Sequence, residues 1–201
     1  MNQNFRALRV RNDEKGYRAG IEEMAASELT PGEILVKVAF SSVNYKDALA
    51  GTGKGKILRR FPLNAGIDVA GYVSESSDPA FKAGDAVLCT GCGLSETRDG
   101  GYAEYIRLES KWAIELPQGL SLRESMVLGT AGFTAALALY RMQQNGQTPD
   151  QGPIVVTGAT GGVGMLAIDM LSRAGYSVHA ITGKVDQFDF LIDLGAKQCI
   201  A

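Results

Sequence analysis

The order of apolar and polar positions divides the chain into two regions of different periodicity. In the first region, short alternating segments are separated by glycine turns, as in the apolar even-numbered positions from Ile34 to Phe40. The elements predicted there are the half-buried strand Glu33–Phe40, the strands Ala65–Ser74, Ala86–Cys89 and Tyr102–Leu108, and a short helix through Ala48–Ala50. Many short strands of this kind predict a small barrel-like β domain in residues 1–120.

Helical spacing replaces this pattern near Pro117 and continues into residues 121–201. Ser121 and Glu124 have the spacing of a capping box at the start of a helix over Leu120–Leu128. Strands and helices then alternate, and the later elements predicted are the helix Thr130–Met142, the strand Ser177–Thr182, the helix Asp186–Leu194 and a strand from Cys199. This alternation predicts a parallel sheet with crossover helices, so the fold class is α/β.

A glycine-rich turn joins the first strand of this region to its helix, within the segment Pro153–Gly164. An apolar, β-branched run opens the segment, and Ala159, Gly161 and Gly164 then have the dinucleotide-binding spacing, with alanine in the first place. Such a turn lets the backbone approach a pyrophosphate, which the amides at the helix start then face. The alternative is an ordinary strand-to-helix turn, but the agreement of motif and context favours a nucleotide site.

The residues after the second strand indicate which nucleotide is bound. NAD-binding folds carry an acidic residue at this place for the ribose hydroxyl, whereas this sequence has Thr182, Gly183 and Lys184. A hydroxyl and a cation suit the 2′-phosphate of NADP. Asp186 is the competing acid, but it is predicted to lie in the first turn of the next helix. The alternative for Lys184 is a solvated surface lysine.

Composition excludes several classes of protein. The sequence is 45% hydrophobic with a net charge of -2, so nothing favours nucleic acid as a partner. The longest uncharged run, Ser125–Tyr140, is shorter than a membrane span, and the first residues form no apolar signal region. Three cysteines suggest a reducing compartment, so we expect a cytoplasmic protein without membrane partners.

Metal and nucleophile chemistry has little support. Cys89 and Cys92 have the spacing of a zinc knuckle or a redox pair, but the sequence offers only Cys199 and His179 as further ligands of these types. His179 is predicted to be a packed residue in mid-strand, where it cannot serve a hydrolase triad. We therefore expect no metal site, and we interpret the two close cysteines as ordinary residues at a strand end.

Two features leave alternatives open. Tyr45, at the exit of a strand, could donate a hydrogen bond to a ribose, a nicotinamide amide or a substrate carbonyl, or it could be a half-buried tyrosine with a satisfied hydroxyl. The segment from Gly53 to Arg60 contains four cationic residues, Lys54, Lys56, Arg59 and Arg60. This basic loop could bind a phosphate-bearing substrate tail or could be a solvated loop.

Several motifs together resemble the zinc-free quinone oxidoreductase branch of the medium-chain dehydrogenase/reductase superfamily. They are Asn44–Leu49, Gly53–Lys56, Phe61-Pro62, Gly66-Ile67-Asp68, Gly129–Ala135 and Val156–Gly164. Within this branch, the sequence from about Phe5 to its last residue is most similar to bacterial NADPH-dependent acrylyl-CoA reductases. Zinc-dependent members carry Gly-His-Glu in place of Gly66-Ile67-Asp68, so the resemblance implies no catalytic zinc.

The resemblance implies a GroES-like β-barrel domain followed by a Rossmann domain, with NADP(H) in the cleft between them and a homodimeric assembly. It implies that Tyr45 contacts the cofactor and that Thr130 lies near the nicotinamide. It assigns the pyrophosphate to Thr160, Gly161, Gly162 and Val163, and the 2′-phosphate end to Thr182, Gly183 and Lys184.

The activity that the resemblance implies is reduction of the double bond of acrylyl-CoA to propanoyl-CoA, by hydride transfer from NADPH. Tyr45 is the candidate donor to the carbonyl oxygen, on which negative charge develops. An NADPH:quinone oxidoreductase and a non-catalytic nucleotide-binding fragment are the alternatives. Because members of the family are well over three hundred residues long, we expect a truncated chain whose Rossmann domain is partial.

Overall fold

The structure, a computed structural model, describes residues 4–201. The described residues form two compact units, the first ending at Thr130 and the second beginning at Ala131. The domain boundary predicted after residue 120 stays a prediction.

The first unit is built mainly from short strands. Its elements are β1 (Asn4–Asp13), β2 (Gly16–Ala25), β3 (Ile34–Phe40), α1 (Tyr45–Thr52), β4 (Leu63–Asn64), β5 (Asp68–Ser76), β6 (Ala86–Thr90), β7 (Tyr105–Leu108) and β8 (Ile114–Glu115). Single 3₁₀ turns lie at Ala26–Glu28 and Ser110–Trp112. The strands predicted in this region are therefore all present, with ends displaced by up to three residues.

These strands form two antiparallel sheets, with the orders β2-β1-β4 and β7-β3-β5-β6-β8. Glu104 connects the sheets, because its amide donates to the carbonyl of Arg6 and its carbonyl accepts from the amide of Val38, both at 3.0 Å. Strand β7 starts later than predicted because Tyr102 and the Glu104 amide bond to β1, so that the paired ladder with β3 begins at Tyr105. The linked sheets confirm the barrel-like β domain.

Strand β3 is buried more completely than a half-buried strand. Ile34 and Val36 lie in the core between β3, β5, β6 and β7, as the alternation predicts. Leu35 is only 1% exposed, because it packs on the other face against Phe5 and Met24 of the β1–β2 hairpin. Phe40, predicted on the buried face, is 42% exposed at the end of the strand.

The β1–β2 hairpin is absent from the predicted elements. Its two strands pair in regular register from Asn4 opposite Ala25 to Asp13 opposite Gly16, which turns with a φ of 84°. Every second residue at the start of β1 is buried. Arginines interrupt the apolar pattern of this strand. Arg6 and Arg11 pair with glutamates, whereas Arg9 is itself buried and bonds to Asn64, so the sequence pattern does not separate the two faces.

The first helical region after Pro117 contains a break. The helix α2 (Leu122–Gln144) is interrupted at Gly129, whose φ of 49° and ψ of -153° are not helical. The predicted capping box is present, since the Ser121 amide donates to the Glu124 carboxylate at 2.8 Å and the Glu124 amide donates to the Ser121 hydroxyl at 3.2 Å. Two predicted helices on either side of Gly129 are thus confirmed.

The second unit has the alternation of a nucleotide-binding fold. After the last part of α2 come β9 (Ile154–Thr157), α3 (Gly162–Arg173), β10 (Val178–Ile181), α4 (Phe188–Asp193) and β11 (Gln198–Ile200). The three strands are parallel in the order β11-β10-β9, as predicted for the first half of a Rossmann sheet. A 3₁₀ turn, Val185–Gln187, occupies the start of the helix predicted from Asp186.

The core of the second unit lies between its sheet and its helices. Its fully or almost fully buried members include Ile168 and Leu171 of α3, Val178 and Ala180 of β10, and Leu191 of α4. Among the residues that the structure describes, no helix is both long and apolar enough to cross a membrane.

Candidate functional site

The glycine turn between β9 and α3 leaves its backbone open to solvent. Gly158 has a φ of 62°, and its carbonyl accepts the amide of Gly161 at 2.9 Å, which closes the turn. Gly161, Gly162 and Val163 are exposed, whereas Gly164 is buried. The exposed part of the turn is therefore available to a ligand.

Gly164 is needed for close packing at the base of this turn. A Cβ at this position would overlap the carbonyl oxygen of Gly158 and would lie 2.9 Å from the Cα of Ala159. At Gly162 the nearest atom to an added Cβ is 3.5 Å away, an ordinary contact distance. Within one motif, one glycine is thus required by sterics, whereas the other has room for a Cβ.

The start of α3 favours an anion. Its first intrahelical hydrogen bond runs from the Met165 amide to the Gly161 carbonyl, so the preceding amides of the first turn have no acceptor within the helix. The first turn contains no acidic residue. With the positive end of the helix dipole behind them, these amides can hold a phosphate group.

The structure brings the two predicted phosphate-binding segments together. Thr160, in the glycine turn, and Thr182, at the end of β10, have hydroxyl oxygens 3.2 Å apart. The Thr182 hydroxyl also accepts the amide of Lys184 at 3.2 Å, while Gly183 and Lys184 themselves are exposed. Asp186 is exposed in the first turn of the following 3₁₀ segment, where it was predicted.

A second group of polar residues surrounds Asp68 in the first unit. This carboxylate is 0% exposed and accepts hydrogen bonds from the Asn44 side chain at 2.9 Å and from the Ser42 hydroxyl. Thr130 donates to it twice, through its hydroxyl at 2.5 Å and its amide at 3.0 Å. The buried charge is stabilised by these donors, which in turn are held in fixed positions.

Tyr45 lies beside this group, as the first residue of α1. Its neighbour Asn44 bonds to Asp68, and the carboxylate of Asp47 accepts the amides of Asn44 and Ile67 at 2.8 and 3.0 Å. Tyr45 is 81% exposed. The interpretation as a half-buried tyrosine is therefore wrong, and its ring stands in solvent on a firmly held backbone.

Tyr102 is a further phenol in this region. Its hydroxyl donates to the carbonyl of Ser42 at 2.8 Å. Burial, together with the nearby carboxylate of Asp47, raises the pKa of Tyr102 well above its ordinary value of 10.0. The side chain stays neutral and acts as a fixed donor that holds the Ser42 backbone.

The cysteines and the histidine lie where a structural role is expected. Cys89 is in the core of the β domain, and burial raises the pKa of its thiol, which disfavours the reactive thiolate. Cys92 is exposed in the following turn, and His179 lies in mid-strand opposite Gln198 and Val155. Within residues 4–201, no group of three or more histidine, cysteine or acidic side chains could hold a metal ion.

Sequence reasoning missed the Asp68 cluster, which consists of Ser42, Asn44, Asp68 and Thr130. Its members are up to 88 positions apart along the sequence, so no local spacing reveals the cluster. One signal was present, because Asp68 follows Ile67 and precedes Val69 and Ala70 within a buried strand. A carboxylate at such a place requires several hydrogen-bond donors.

Comparison with known proteins supports this description. Residues 30–118 match the family model of the alcohol dehydrogenase GroES-like domain. The chain is 46% identical over 197 residues to YhfP of Bacillus subtilis, assigned as a quinone oxidoreductase, and 43% identical over 199 residues to the acrylyl-CoA reductase AcuI of Ruegeria pomeroyi. Both alignments include 98% of this chain and 60% of the relative.

Solved structures agree with these relatives. The yhdH oxidoreductase from Salmonella enterica in complex with NADP has a TM-score of 0.94 at 45% identity, over 97% of this chain and 60% of that one. Bacillus subtilis yhfP with NAD bound has a TM-score of 0.93 at 46% identity, over 98% and 60%. The chain thus spans about 60% of the length of these relatives. By these matches, it belongs to the medium-chain dehydrogenase/reductase superfamily, in the group that includes quinone oxidoreductases and acrylyl-CoA reductases.

Proposed function

We propose that this chain binds NADP(H) and forms part of a reductase that acts on a double bond conjugated to a carbonyl group, with acrylyl-CoA as substrate and propanoyl-CoA as product. The observation that carries the proposal is the contact of Thr160 with Thr182, beside an exposed glycine turn and Lys184. It places two hydroxyl groups, a cation and a helix start within one small region of the second unit. Relatives with NADP or NADPH bound support the same cofactor.

The second unit holds the phosphate groups of the cofactor in this proposal. The amides of Gly162 and Val163 at the start of α3 hold the pyrophosphate, with Gly161 and the Thr160 hydroxyl beside them. The 2′-phosphate lies against Thr182, Gly183 and Lys184, where no carboxylate of the strand end repels it. These groups favour NADPH over NADH. Because one relative was solved with NAD bound, the affinities for the two cofactors are compared directly in the experiment below.

The roles of the residues at the nicotinamide end of the cofactor are proposed from the family resemblance. The cofactor supplies the hydride when it is bound. Tyr45 contacts the cofactor and donates a hydrogen bond to the substrate carbonyl, on which negative charge would develop when hydride adds to the β carbon. A proton from water or a side chain then adds to the α carbon and completes the reduction. Thr130, held by Asp68, lies near the nicotinamide, and the ordered Asp68 cluster keeps the backbone around Tyr45 in one geometry.

The experiment is a comparison of cofactors and substrates on the 201-residue chain. Melting temperature with NADPH and with NADH tests binding, and nicotinamide absorbance with acrylyl-CoA or a small quinone tests catalysis. Higher rates with acrylyl-CoA support the proposal, and higher rates with the quinone favour the second candidate, which the name of the YhfP relative suggests. A rise in melting temperature without oxidation identifies a nucleotide-binding chain without activity, and no response to either cofactor contradicts the proposal.

Two further properties belong to the same proposal. They are a small-molecule substrate, which the name of the Ruegeria pomeroyi relative supports, and a cytoplasmic location, which the few cysteines of the sequence support. The homodimer suggested by the resemblance is tested by light scattering of the purified chain.

A further inference from the structure

The basic loop, Gly53–Arg60, carries positive charge that the structure leaves unpaired. Lys54, Lys56, Arg59 and Arg60 are all exposed. Among the described residues, no carboxylate lies within ion-pair distance of any of them, whereas seven other pairs of this kind are formed. Four unpaired cations within seven positions produce a local positive field on a chain whose net charge is -2.

This loop borders a cavity of about 340 Å³, a size that small-molecule sites commonly have. The cavity is lined by Lys56 and by two aromatic rings, Tyr17 and Phe61, which meet edge to face with centroids 5.6 Å apart. Asn12, Gly53, Gly55 and Leu58 complete the lining, so no carboxylate contributes to it. A cation, an amide and aromatic surface suit a phosphorylated nucleoside.

Buried contacts and a backbone hydrogen bond hold the loop in place, so the cavity is pre-formed. Leu58 is buried against Val10 and Leu63, and the Arg59 amide donates to the carbonyl of Glu96 at 2.8 Å. Gly53 has a φ of 71°, and a Cβ there would lie 2.8 Å from the ring of Tyr17. The chain therefore turns closely over the tyrosine ring and presents the four cations to solvent.

Two acidic residues that adjoin the cavity lining or the loop are already neutralised. Asp13, which follows Asn12, is bonded twice by Arg18, at 2.6 and 2.8 Å. Glu96 is paired with Lys46. An anion that enters the cavity would therefore be attracted by the loop cations, and the carboxylates of Asp13 and Glu96, which are already paired, would repel it little.

We propose that the basic loop and Tyr17 bind the adenosine 3′,5′-bisphosphate end of a coenzyme A thioester. Lys56 contacts a phosphate, its three neighbours add long-range attraction, and the adenine ring packs on Tyr17 and Phe61. The inference rests on the proposed function, since it concerns the same substrate, and it assigns a role to a loop that the cofactor site does not use.

The test is calorimetric titration of adenosine 3′,5′-bisphosphate into the full chain, with NADPH held at saturation so that the nucleotide site of the second unit is occupied. The variant is Lys54→Gln/Lys56→Gln, and the matched control is Lys82→Gln, an exposed lysine in a distant turn of the sequence. Charge-assisted contacts to phosphate predict that Kd rises about tenfold or more in the double variant and is unchanged in the control. Melting temperatures show whether the variants are folded, and Arg59→Gln/Arg60→Gln provides a second variant of the same loop.

Weaker binding at higher salt, with a smaller salt dependence in both loop variants, is also expected. Absence of binding by the wild-type chain, or equal affinity in the double variant, would overturn the inference. If NADPH fails to bind, the proposed function fails, but titration without NADPH still tests the loop. The two failures are thus distinguishable.

Discussion

Thr130 donates both its hydroxyl and its amide to the carboxylate of Asp68, at 2.5 and 3.0 Å. The hydroxyl reaches one carboxylate oxygen and the amide reaches the other, which also accepts from Ser42 and Asn44. A carboxylate that is fully buried can remain charged only with such a set of donors. This relationship makes Asp68 the residue on which the order of the cluster depends.

Asp68→Asn is expected to destabilise the protein. Asparagine keeps one acceptor oxygen but places an NH₂ group against the donors of Thr130 or Asn44, which leaves buried groups unpaired. The expected loss in the free energy of unfolding is about 2–3 kcal/mol, measured by urea denaturation. Glu75→Gln, an exposed acid on the same strand, is the control and should change stability by less than about 0.5 kcal/mol. Equal stability of the two variants would contradict a structural role for the buried charge.

Two glycine substitutions in the nucleotide turn should have opposite effects on stability. Gly164→Ala introduces a Cβ that overlaps the Gly158 carbonyl, so the turn must shift, at a cost of about 1–3 kcal/mol. Gly162→Ala meets only an ordinary contact in a helix and should be neutral or stabilising by up to about 1 kcal/mol. Thermal unfolding of both variants measures the difference. Unchanged stability of the Gly164→Ala variant would contradict the steric role of this glycine.

Lys184→Gln should reduce affinity for NADPH without reducing affinity for NADH. The side chain is exposed beside Thr182, and its charge serves only a cofactor that carries a 2′-phosphate. A loss of about tenfold in NADPH affinity is expected, measured by fluorescence titration. Lys197→Gln, an exposed lysine of the same unit, is the control. Parallel losses for both cofactors would indicate a general effect and not recognition of the phosphate.

Tyr45→Phe tests the proposed donor. Because the ring is exposed, its hydroxyl contributes little to folding, and the free energy of unfolding should change by less than about 0.5 kcal/mol. Loss of one donor to a developing oxyanion should lower kcat about 100-fold in steady-state assays with acrylyl-CoA. Tyr72→Phe, a half-exposed tyrosine on β5, is the control. Unchanged kcat in Tyr45→Phe would remove this residue from the mechanism.

The β1–β2 hairpin should weaken in acid through Glu22. Two hydrogen bonds from Arg11, at 2.8 and 2.6 Å, lower the pKa of Glu22 below its ordinary value of 4.5. A lowered pKa in the folded state means that the pair stabilises the protein above pH 4.5 and that this contribution disappears as the pH falls through the folded-state pKa. The difference in the free energy of unfolding between wild type and Glu22→Gln should therefore be largest near pH 7 and should shrink towards pH 3. Glu14→Gln, a substitution in the exposed turn of the same hairpin, is the matched control for the loss of one carboxylate.

Elements with local signals could be predicted from the sequence. The strand β3, the capping box at Ser121 and the strand-turn-helix at Pro153–Gly164 each depend on residues within one short segment, and the structure confirms them. The contact of Thr160 with Thr182 was not itself predicted, although it follows from the predicted parallel sheet, which places the carboxyl ends of neighbouring strands at one edge.

Features that depend on distant residues could not be predicted. Asp68 and Thr130 are 62 positions apart, and their contact follows from the packing of the first unit as a whole. The hairpin over Asn4–Ala25 was missed because Arg6, Arg9 and Arg11 fall on both faces of β1 and interrupt its apolar pattern, and the burial of Leu35 was missed with it. The cavity beside Tyr17 likewise lies between the β1–β2 hairpin and the basic loop, and no local sequence pattern indicates that these two segments are close together.

Gly129 has a consequence for amide hydrogen exchange. Its left-handed backbone interrupts the hydrogen-bond ladder of α2 close to Thr130, where the first compact unit ends. The amides before this glycine are therefore expected to open with the β domain, and those after it with the parallel sheet. A continuous helix would exchange as one element, whereas α2 is expected to divide into two protection classes at a single residue.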